Sequence, residues 1–482
     1  MSDVAQISGL VQAMREAQRD WAAQPIEARA RLLARVGQRL ADRGEELARV
    51  VCEETRKAPT DAWFADVVGN AELFSWWTGP GLAAIREQKA PISALKMPGK
   101  KATLRYEPKG VIGLITPWNY PAAIPLRTLI PALVAGNAVL FKPSEVTPRT
   151  GDLIVEAFQA ELPGGLLTVV HGRQEAGEAV IDHADHVVFT GSVATGRKVA
   201  VQCAEQLKTV SLELGGKDAA IVLDDCDLDR TVQGVLWGAM ANSGQNCASV
   251  ERVYVQGGIH KRFVEAMVAA AGKITVAPVA TDAQDAIVRR HLDDATARGA
   301  KLHGTYPGPV ILTDVPDDAL VMTEETFGPL CPIVSVADSR EAIRKANASR
   351  YGLTTSLWTQ DIPRARTLAS QAQTGVVTIN NVSFTGAMPF APWSGRRESG
   401  HGVTNSHLAI MEMVQPKFVL FDDAKAPEAW WFPFSDQAVA LARQSLAWLT
   451  ASGLSKVGKT FGLLGMQKKR IAEQKKTMGS GK

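Results

Sequence analysis

The sequence predicts an α/β protein with two parallel-sheet, Rossmann-like domains, and three observations carry that expectation. The chain has 482 residues, more than the roughly 250–300 at which a single core stops growing, so at least two domains are expected. From residue 111 onward, short apolar strand candidates alternate with helical stretches, the pattern of a parallel sheet covered on both faces. The alternation then runs a second time, after a helix at 228–243. With 46% hydrophobic and 21% charged residues, the composition is that of a globular chain with a buried core.

Residues 4–56 read as helices: Ile7, Leu10, Val11, Met14 and Trp21 share an apolar face, Pro25 stands near a helix start, and 26–42 is rich in Arg, Ala and Leu. A further helical stretch at 60–78 carries Trp63, Phe64, Trp76 and Trp77. Residues 92–108 alternate and predict an extended arm or hairpin. In the first series the strands are 111–116, 138–142, 167–170, 186–190 and 209–214, with helices at 122–135, 148–161, 174–182 and 195–206. In the second series the strands are 251–256, 310–312, 332–336, 354–358 and 376–379. A strand at 417–421 follows both, and a tail runs from 424 to the end.

Several function classes fall away on composition. The five cysteines (52, 203, 226, 247 and 331) are odd in number and lack metal spacing, which points to a reducing compartment with no disulfide framework and no zinc site. The eight histidines form no metal motif, and His183 and His186 read as capping or surface residues. No metal is expected. The N-terminus lacks a signal-peptide pattern, and no apolar run of about 18 residues could span a bilayer, so a soluble, cytoplasmic protein is expected. The net charge of +3 is uneven. Residues 424–482 hold ten basic residues against three acidic ones, or +7, which leaves −4 for the rest. No nucleic-acid motif accompanies that charge, and nucleic acid is not an expected partner.

In open α/β sheets, ligands bind beyond the carboxyl ends of the strands. Those ends read Thr116-Pro117-Trp118-Asn119-Tyr120-Pro121, Lys142-Pro143-Ser144-Glu145, Phe189-Thr190-Gly191-Ser192 and Glu213-Leu214-Gly215-Gly216-Lys217. Any one could be a loop cap; four together favour a site. Gly191-Ser192 with Gly196 at a helix start is a candidate phosphate cradle, although Ser192 as an ordinary helix cap reads equally well and no G-x-G-x-x-G is present. Lys142 and Glu145 can hydrogen-bond a ribose, and a carboxylate there would repel a 2′-phosphate, favouring NAD over NADP. Cys247, in Asn-Ser-Gly-Gln-Asn-Cys-Ala (242–248), is the cysteine with polar, flexible neighbours, the setting for a lowered thiol pKa and nucleophilic use. Trp118, Tyr120, Phe384, Phe390 and Trp393 are candidates for an apolar substrate tunnel, or are simply core.

With these residues in hand, the chain resembles the aldehyde dehydrogenase superfamily over about residues 5–423. The matching motifs are Thr-Pro-Trp-Asn-Tyr-Pro (116–121), Lys-Pro-Ser-Glu-Val-Thr-Pro (142–148), Phe-Thr-Gly-Ser (189–192), Glu-Leu-Gly-Gly-Lys (213–217), Gly-Gln-Asn-Cys (244–247) and Glu-Glu-Thr-Phe-Gly-Pro (324–329), with a late Pro-Trp-Ser-Gly-Arg-Arg-Glu-Ser-Gly (392–400). The resemblance implies NAD(P)-dependent oxidation of an aldehyde to its acid, with NAD the expected cofactor and NADP possible. Cys247 would be the nucleophile, Glu213 the base and Asn119 an oxyanion donor. Lys142 and Glu145 would hold the adenosine ribose and Ser192 the pyrophosphate, while Glu325 and Phe327 would hold the nicotinamide ribose and ring. Thr116, Pro117, Trp118, Ser144, Thr190, Gly191, Gly196, Leu214 and Gly215 are expected along the cofactor, and Tyr120, Phe384 and Trp393 along the substrate tunnel.

The implied organisation is an NAD-binding domain (1–89 and 109–215, with a return at 404–414), a catalytic domain (216–403), an oligomerisation arm (90–108 and 415–423) and a basic amphipathic C-terminal extension (424–482). A homodimer or homotetramer follows. Trp393, Ser394 and Arg396-Arg397 depart from the family's late motif, so the substrate mouth is open to difference. Arg127 or Arg396 could bind a substrate carboxylate, with a solvated arginine the default reading. The extension reads either as a helix packed on the subunit or its partner, favoured because its Trp-rich start would need burial, or as a peripheral membrane contact. Two other functions compete: a CoA-acylating aldehyde dehydrogenase, which the base-like Glu213 disfavours, and an inactive structural relative, which the joint presence of Cys247, Glu213 and Asn119 disfavours.

Overall fold

Strands form where aliphatic and β-branched residues run without interruption. The computed structural model describes residues 4–93, 97, 99–382 and 384–478. It separates into a larger unit, the chain up to Arg86 with Tyr106–Pro416, and a smaller one, Glu87–Arg105 with Lys417 onward.

The larger unit holds two sheets. The first has six strands, in the spatial order Gly400–His401, Thr209–Glu213, His186–Thr190, Val111–Ile115, Ala138–Lys142 and Leu167–Val169. All pair in parallel except the short Gly400–His401 strand, which lies antiparallel to the Thr209–Glu213 edge. The Val111–Ile115 and Ala138–Lys142 strands are buried throughout, as strands covered on both faces must be. The predicted elements of this half appear to within about two residues. The N-terminal helices Val4–Ala23 and Ile26–Asp42 pack their apolar faces into the same core. His186, read from sequence as a cap or surface residue, is instead buried. It sits between Thr209, Ser211 and Lys109, and burial holds its pKa down at about 3.

The second sheet has seven strands, in the order Lys301–His303, Val310–Thr313, Leu330–Val336, Val250–Gln256, Asp218–Val222, Thr354–Trp358 and Val376–Ile379. Asp218–Val222, in its interior, has no counterpart among the predicted strands. Only four residues separate it from the Thr209–Glu213 strand, so a sequence scan reads the pair as one strand with a polar end. The fold instead uses Leu214–Lys217 to pass from one sheet to the next.

A three-stranded sheet, Gln88–Lys89, Lys100–Pro108 and Val414–Asp422, lies mostly in the smaller unit, over the segments expected to be extended; residues 94–96 and 98 lie outside the described residues. Beyond it, helices Asp436–Leu449 and Gly453–Met478 form a hairpin around Leu441, Trp448 and Leu463. Among the described residues no helix is long and apolar enough to cross a membrane, and no group of three or more metal-ligating side chains comes together.

Candidate active site

The two sheets of the larger unit meet at Leu214–Lys217, and the chemistry-bearing loops converge there. Glu213 ends its strand with its side chain buried. The turn after it is locked from the late motif: Ser399 Oγ donates to Gly215 O at 2.8 Å, its carbonyl accepts from Leu214 N–H at 3.1 Å, and Gly352 N–H donates to its Oγ at 3.0 Å. Gly400 follows at φ +100°, where a Cβ would come within 2.1 Å of Leu212 O, so no larger side chain fits. The Ser-Gly of 399–400 is therefore what holds Glu213 in place, a role its position in the sequence does not disclose.

Cys247 sits in a loop that turns through two left-handed residues, Asn242 (φ 50°) and Ser243 (φ 58°). The Asn119 loop braces this turn. Asn242 Nδ2 donates to Asn119 O at 3.0 Å, and the side-chain amides of both Asn119 and Asn242 donate to Gln245 O, at 3.2 and 3.1 Å. An amide nitrogen carries two hydrogens, so Asn119 retains a donor beyond its bond to Gln245. Asn119 Oδ1, Glu213 Oε1 and Arg127 Nε are buried without a hydrogen-bond partner. Orphaned polar atoms at one place are rare in cores and are the mark of a site awaiting a ligand.

Two carboxylates that the sequence reading missed fix these loops. Asp66, paired with Lys57 at 2.5 Å with both side chains fully buried, accepts from the N–H groups of Ala122 and Ala123 at 3.1 Å each. This anchors the start of helix Ala123–Val134 directly behind Tyr120, over whose ring Lys57 Nζ lies at 4.2 Å. Asp61 accepts from Asn242 N–H at 3.0 Å. Both lie in a stretch read from sequence only as an aromatic-bearing helix. Acidic residues on such a helix look solvated until the tertiary fold supplies a partner.

On the far side, buried Glu251 accepts from Thr326 N–H and Phe327 N–H at 2.7 Å each and pairs with Lys217. That contact holds Phe327 at φ +52°, its ring 5.6 Å from Trp118 in a T-shaped contact. Glu325 accepts from Gly216 N–H at 3.2 Å.

Burial dominates the electrostatics. It pushes the Cys247 thiol up to about 12, with Glu325 and Asp218 adding to the rise, and Arg127 opposes it. Glu213 is raised well above the carboxylate range by burial, with Arg127 again opposing and Trp393 contributing a hydrogen bond to its ionised form. Glu325 rises to about 8 for the same reason. Arg127 therefore departs from the default of a solvated arginine. Its guanidinium lies beside Gly386, whose added Cβ would be 3.3 Å from Nη2 and 3.4 Å from Trp393, and its field reaches both Cys247 and Glu213. Of the predicted tunnel residues, Trp393 is buried, Tyr120 is half-buried and Phe390 is exposed; the side chain of Phe384 lies outside the described residues.

Two adjoining cavities receive the predicted cofactor residues. One of about 340 Å³ is lined by Thr116, Pro117, Lys142, Ser144, Glu145, Thr190 and Gly191, together with Arg173 and Lys198, which the sequence reading did not single out. The other, about 240 Å³, is lined by Trp118, Asn119, Ser192, Glu213, Leu214, Gly215, Cys247, Glu325 and Phe327, and shares Pro117, Thr190 and Gly191 with the first. The two cavities adjoin at those three residues, with the thiol on the wall of the second. Ser192 caps helix Val193–Glu205 by accepting from Thr195 N–H, so the cap reading holds beside its place at the cavity. Gly196 lines neither cavity: a Cβ there would fall 2.5 Å from Leu214, which makes it a packing position. Lys142 Nζ lies 3.9 Å from Glu145.

Comparison with known proteins shows the family. The family model described as the aldehyde dehydrogenase family matches residues 1–419. The chain is 36% identical over 432 residues to 4,4'-diapolycopene aldehyde oxidase of Methylomonas sp, covering 86% of this chain and 82% of that protein. Among solved structures, it is similar to an aldehyde dehydrogenase from Bacillus cereus in complex with NAD+ (TM-score 0.83, 30% identity, 87% of this chain and 89% of that one). It is also similar to an NADP-dependent glyceraldehyde-3-phosphate dehydrogenase from Bacillus halodurans C-125 complexed with NADP (TM-score 0.82, 31% identity, 88% and 92%).

Proposed function

The chain belongs to the aldehyde dehydrogenase family, whose reaction is NAD(P)-dependent aldehyde oxidation, and from that premise we propose that it forms the acid by covalent catalysis at Cys247. The observation that carries this reading is the lining of one cavity by Cys247, Glu213 and Asn119 together.

The Cys247 sulfur, once deprotonated, attacks the aldehyde carbon, and the spare N–H of Asn119 with the Cys247 backbone N–H receives the oxyanion. One such donor contributes about 2.7–4 kcal/mol of barrier lowering. The chemistry a bound nicotinamide supplies is acceptance of the hydride from the thiohemiacetal carbon, which leaves a thioester on Cys247. Glu213, ionised, takes a proton from water as that water adds to the thioester, and the acid departs with the thiol restored. Lys142 and Glu145 would hold the adenosine ribose, the N-terminus of helix Val193–Glu205 the pyrophosphate, and Glu325 and Phe327 the nicotinamide ribose and ring. Glu145 favours NAD+ over NADP+; Arg173 and Lys198 on the same cavity soften that preference. Arg127, half-buried and cationic on the Gly386 and Trp393 side, disfavours an aldehyde bearing a positive charge and suits a neutral or carboxylate-bearing one.

In this assignment, residues 1–89, 109–215 and 404–414 serve the cofactor, 216–403 the nucleophile, and 90–108 with 415–423 the contact between copies in a homodimer or homotetramer. The test is mass spectrometry of the protein during turnover with hexanal and NAD+. Glu213→Gln should accumulate an acyl adduct on Cys247, and Cys247→Ala should form neither adduct nor NADH. Wild-type NADH production by Cys247→Ala would overturn the assignment, and an acyl adduct that clears only when CoA is added would move it to the CoA-acylating class.

A further inference from the structure

The extension carries an aromatic loop that is held outward. Trp430 is 62% exposed and Phe434 76%, with Trp431 and Phe432 similarly open. The Trp-rich segment is thus not buried within its own subunit, which leaves burial against a partner copy as the form of the packed reading still open. Nor is the loop an unsupported tail. Buried Arg470, on helix Gly453–Met478, donates to the carbonyls of Ala429 at 3.0 Å and Trp431 at 2.6 Å and to that of Pro433, while Gln474 donates to Glu428 O at 2.7 Å and Trp431 O at 3.2 Å. These two side chains satisfy the loop's backbone from behind, while its rings stay more than half exposed, Trp430 and Phe434 on the wall of a cavity of about 830 Å³ shared with Val439, Trp448 and Leu449.

The outer face of the same helix continues the pattern. Leu454, Val457 and Phe461, at i, i+3 and i+7, share one stripe, with Leu454 91% and Phe461 73% exposed. About two and four turns beyond Phe461 stand exposed Lys468 and Lys469, then Lys475 and Lys476. Residues 424–482 carry +7, and two of their three acidic residues are already paired, Glu428 with Lys100 and Glu473 with Arg470. Soluble proteins seldom leave this much aromatic surface open without a binder.

We propose that this surface docks on an anionic lipid bilayer, with the aromatic loop and the Leu454–Phe461 stripe at the acyl boundary and the lysines against headgroup phosphates. Trp and Phe beside lysine form the chemistry of an interfacial anchor, the rings partitioning into the boundary while the long lysine stems reach the charged layer. Charge argues for lipid over a second copy of this chain: an isologous contact would set one +7 extension against another. The inference does not depend on any step of aldehyde oxidation.

The experiment is co-sedimentation of the full chain with vesicles of phosphatidylcholine alone and of phosphatidylcholine with phosphatidylglycerol, at low and high salt, with solution mass followed by light scattering. Binding is expected on the anionic vesicles, weakened by salt. At about 1 kcal/mol for each lysine near the surface, each loss weakens binding about fivefold, and the variant Lys468→Gln/Lys469→Gln/Lys475→Gln/Lys476→Gln should bind on the order of several hundredfold more weakly. Trp430→Ser/Trp431→Ser/Phe434→Ser should lose binding to vesicles, with kcat on a water-soluble aldehyde unchanged in both variants. Failure of the wild type to sediment with anionic vesicles would overturn the proposal. So would an aromatic variant that keeps its vesicle binding but falls from an oligomer to a monomer, since the surface would then belong to a second copy.

Discussion

Replacing Arg127 with methionine keeps most of the side chain's length and removes its charge, which makes it a direct probe of the electrostatics around the thiol. In the native site Arg127 opposes the upward push of burial on both Cys247 and Glu213. Without it the groups acting on the sulfur are Glu325, Asp218 and Glu213, all of which disfavour a thiolate. A single opposing charge at the edge of a buried site changes a neighbour's pKa by about one unit, about 1.4 kcal/mol. The sign follows directly: the reactive form is the thiolate, present above the thiol pKa, so a raised pKa costs activity at any pH below it. The pH profile of kcat/KM, which reports groups of the free enzyme, should have its rising limb displaced to higher pH by about one unit. At neutral pH kcat/KM should fall about tenfold, and Arg127→Lys should restore most of the limb's position. An unmoved limb with a uniformly lower plateau would refute this reasoning and place Arg127 on the substrate alone.

The Lys57–Asp66 pair is fully buried and caps Ala122 and Ala123. Asp66→Leu should therefore destabilise the protein by about 3–5 kcal/mol, by stranding the ammonium, whereas Lys57→Met/Asp66→Leu should recover much of that loss; thermal denaturation in the presence of NAD+ checks both. At Gly215, an added Cβ would stand 2.1 Å from Glu325 Oε2. Gly215→Ala should thus raise KM for the dinucleotide at least tenfold, with little change in fold by circular dichroism. Glu145→Thr removes the carboxylate beside Lys142 and should improve kcat/KM for NADP+ relative to NAD+ about tenfold, read from initial rates with each cofactor.

Much of this site was legible in the chain because its chemistry is local. The strand ends Thr116–Tyr120, Lys142–Glu145 and Glu213–Lys217, and the Cys247 turn, are short runs whose residue types are costly to keep unless they do something, and a parallel sheet must bring its carboxyl ends to one edge. The bracing was not legible. Asp61, Asp66 and Glu251 are ordinary acidic residues in sequence; their function is to accept backbone N–H groups from loops about 56 to 181 positions away, a distance along which periodicity carries no signal. Asp218–Val222 was missed for a related reason, since two strands four residues apart differ from one long strand only in which sheet each joins.

The sequence by itself determined the two-sheet α/β plan, the candidates for nucleophile, base and oxyanion donor, and the excess of positive charge in the extension, because each is written in contiguous residues. Tertiary structure alone decided that half-buried Arg127 acts on the sulfur through its charge, that Gly196 packs against Leu214, and that the aromatic loop is held exposed on an Arg470 bracket. Burial and long-range hydrogen bonding are properties of what the chain folds against, and a residue's type does not state its neighbours.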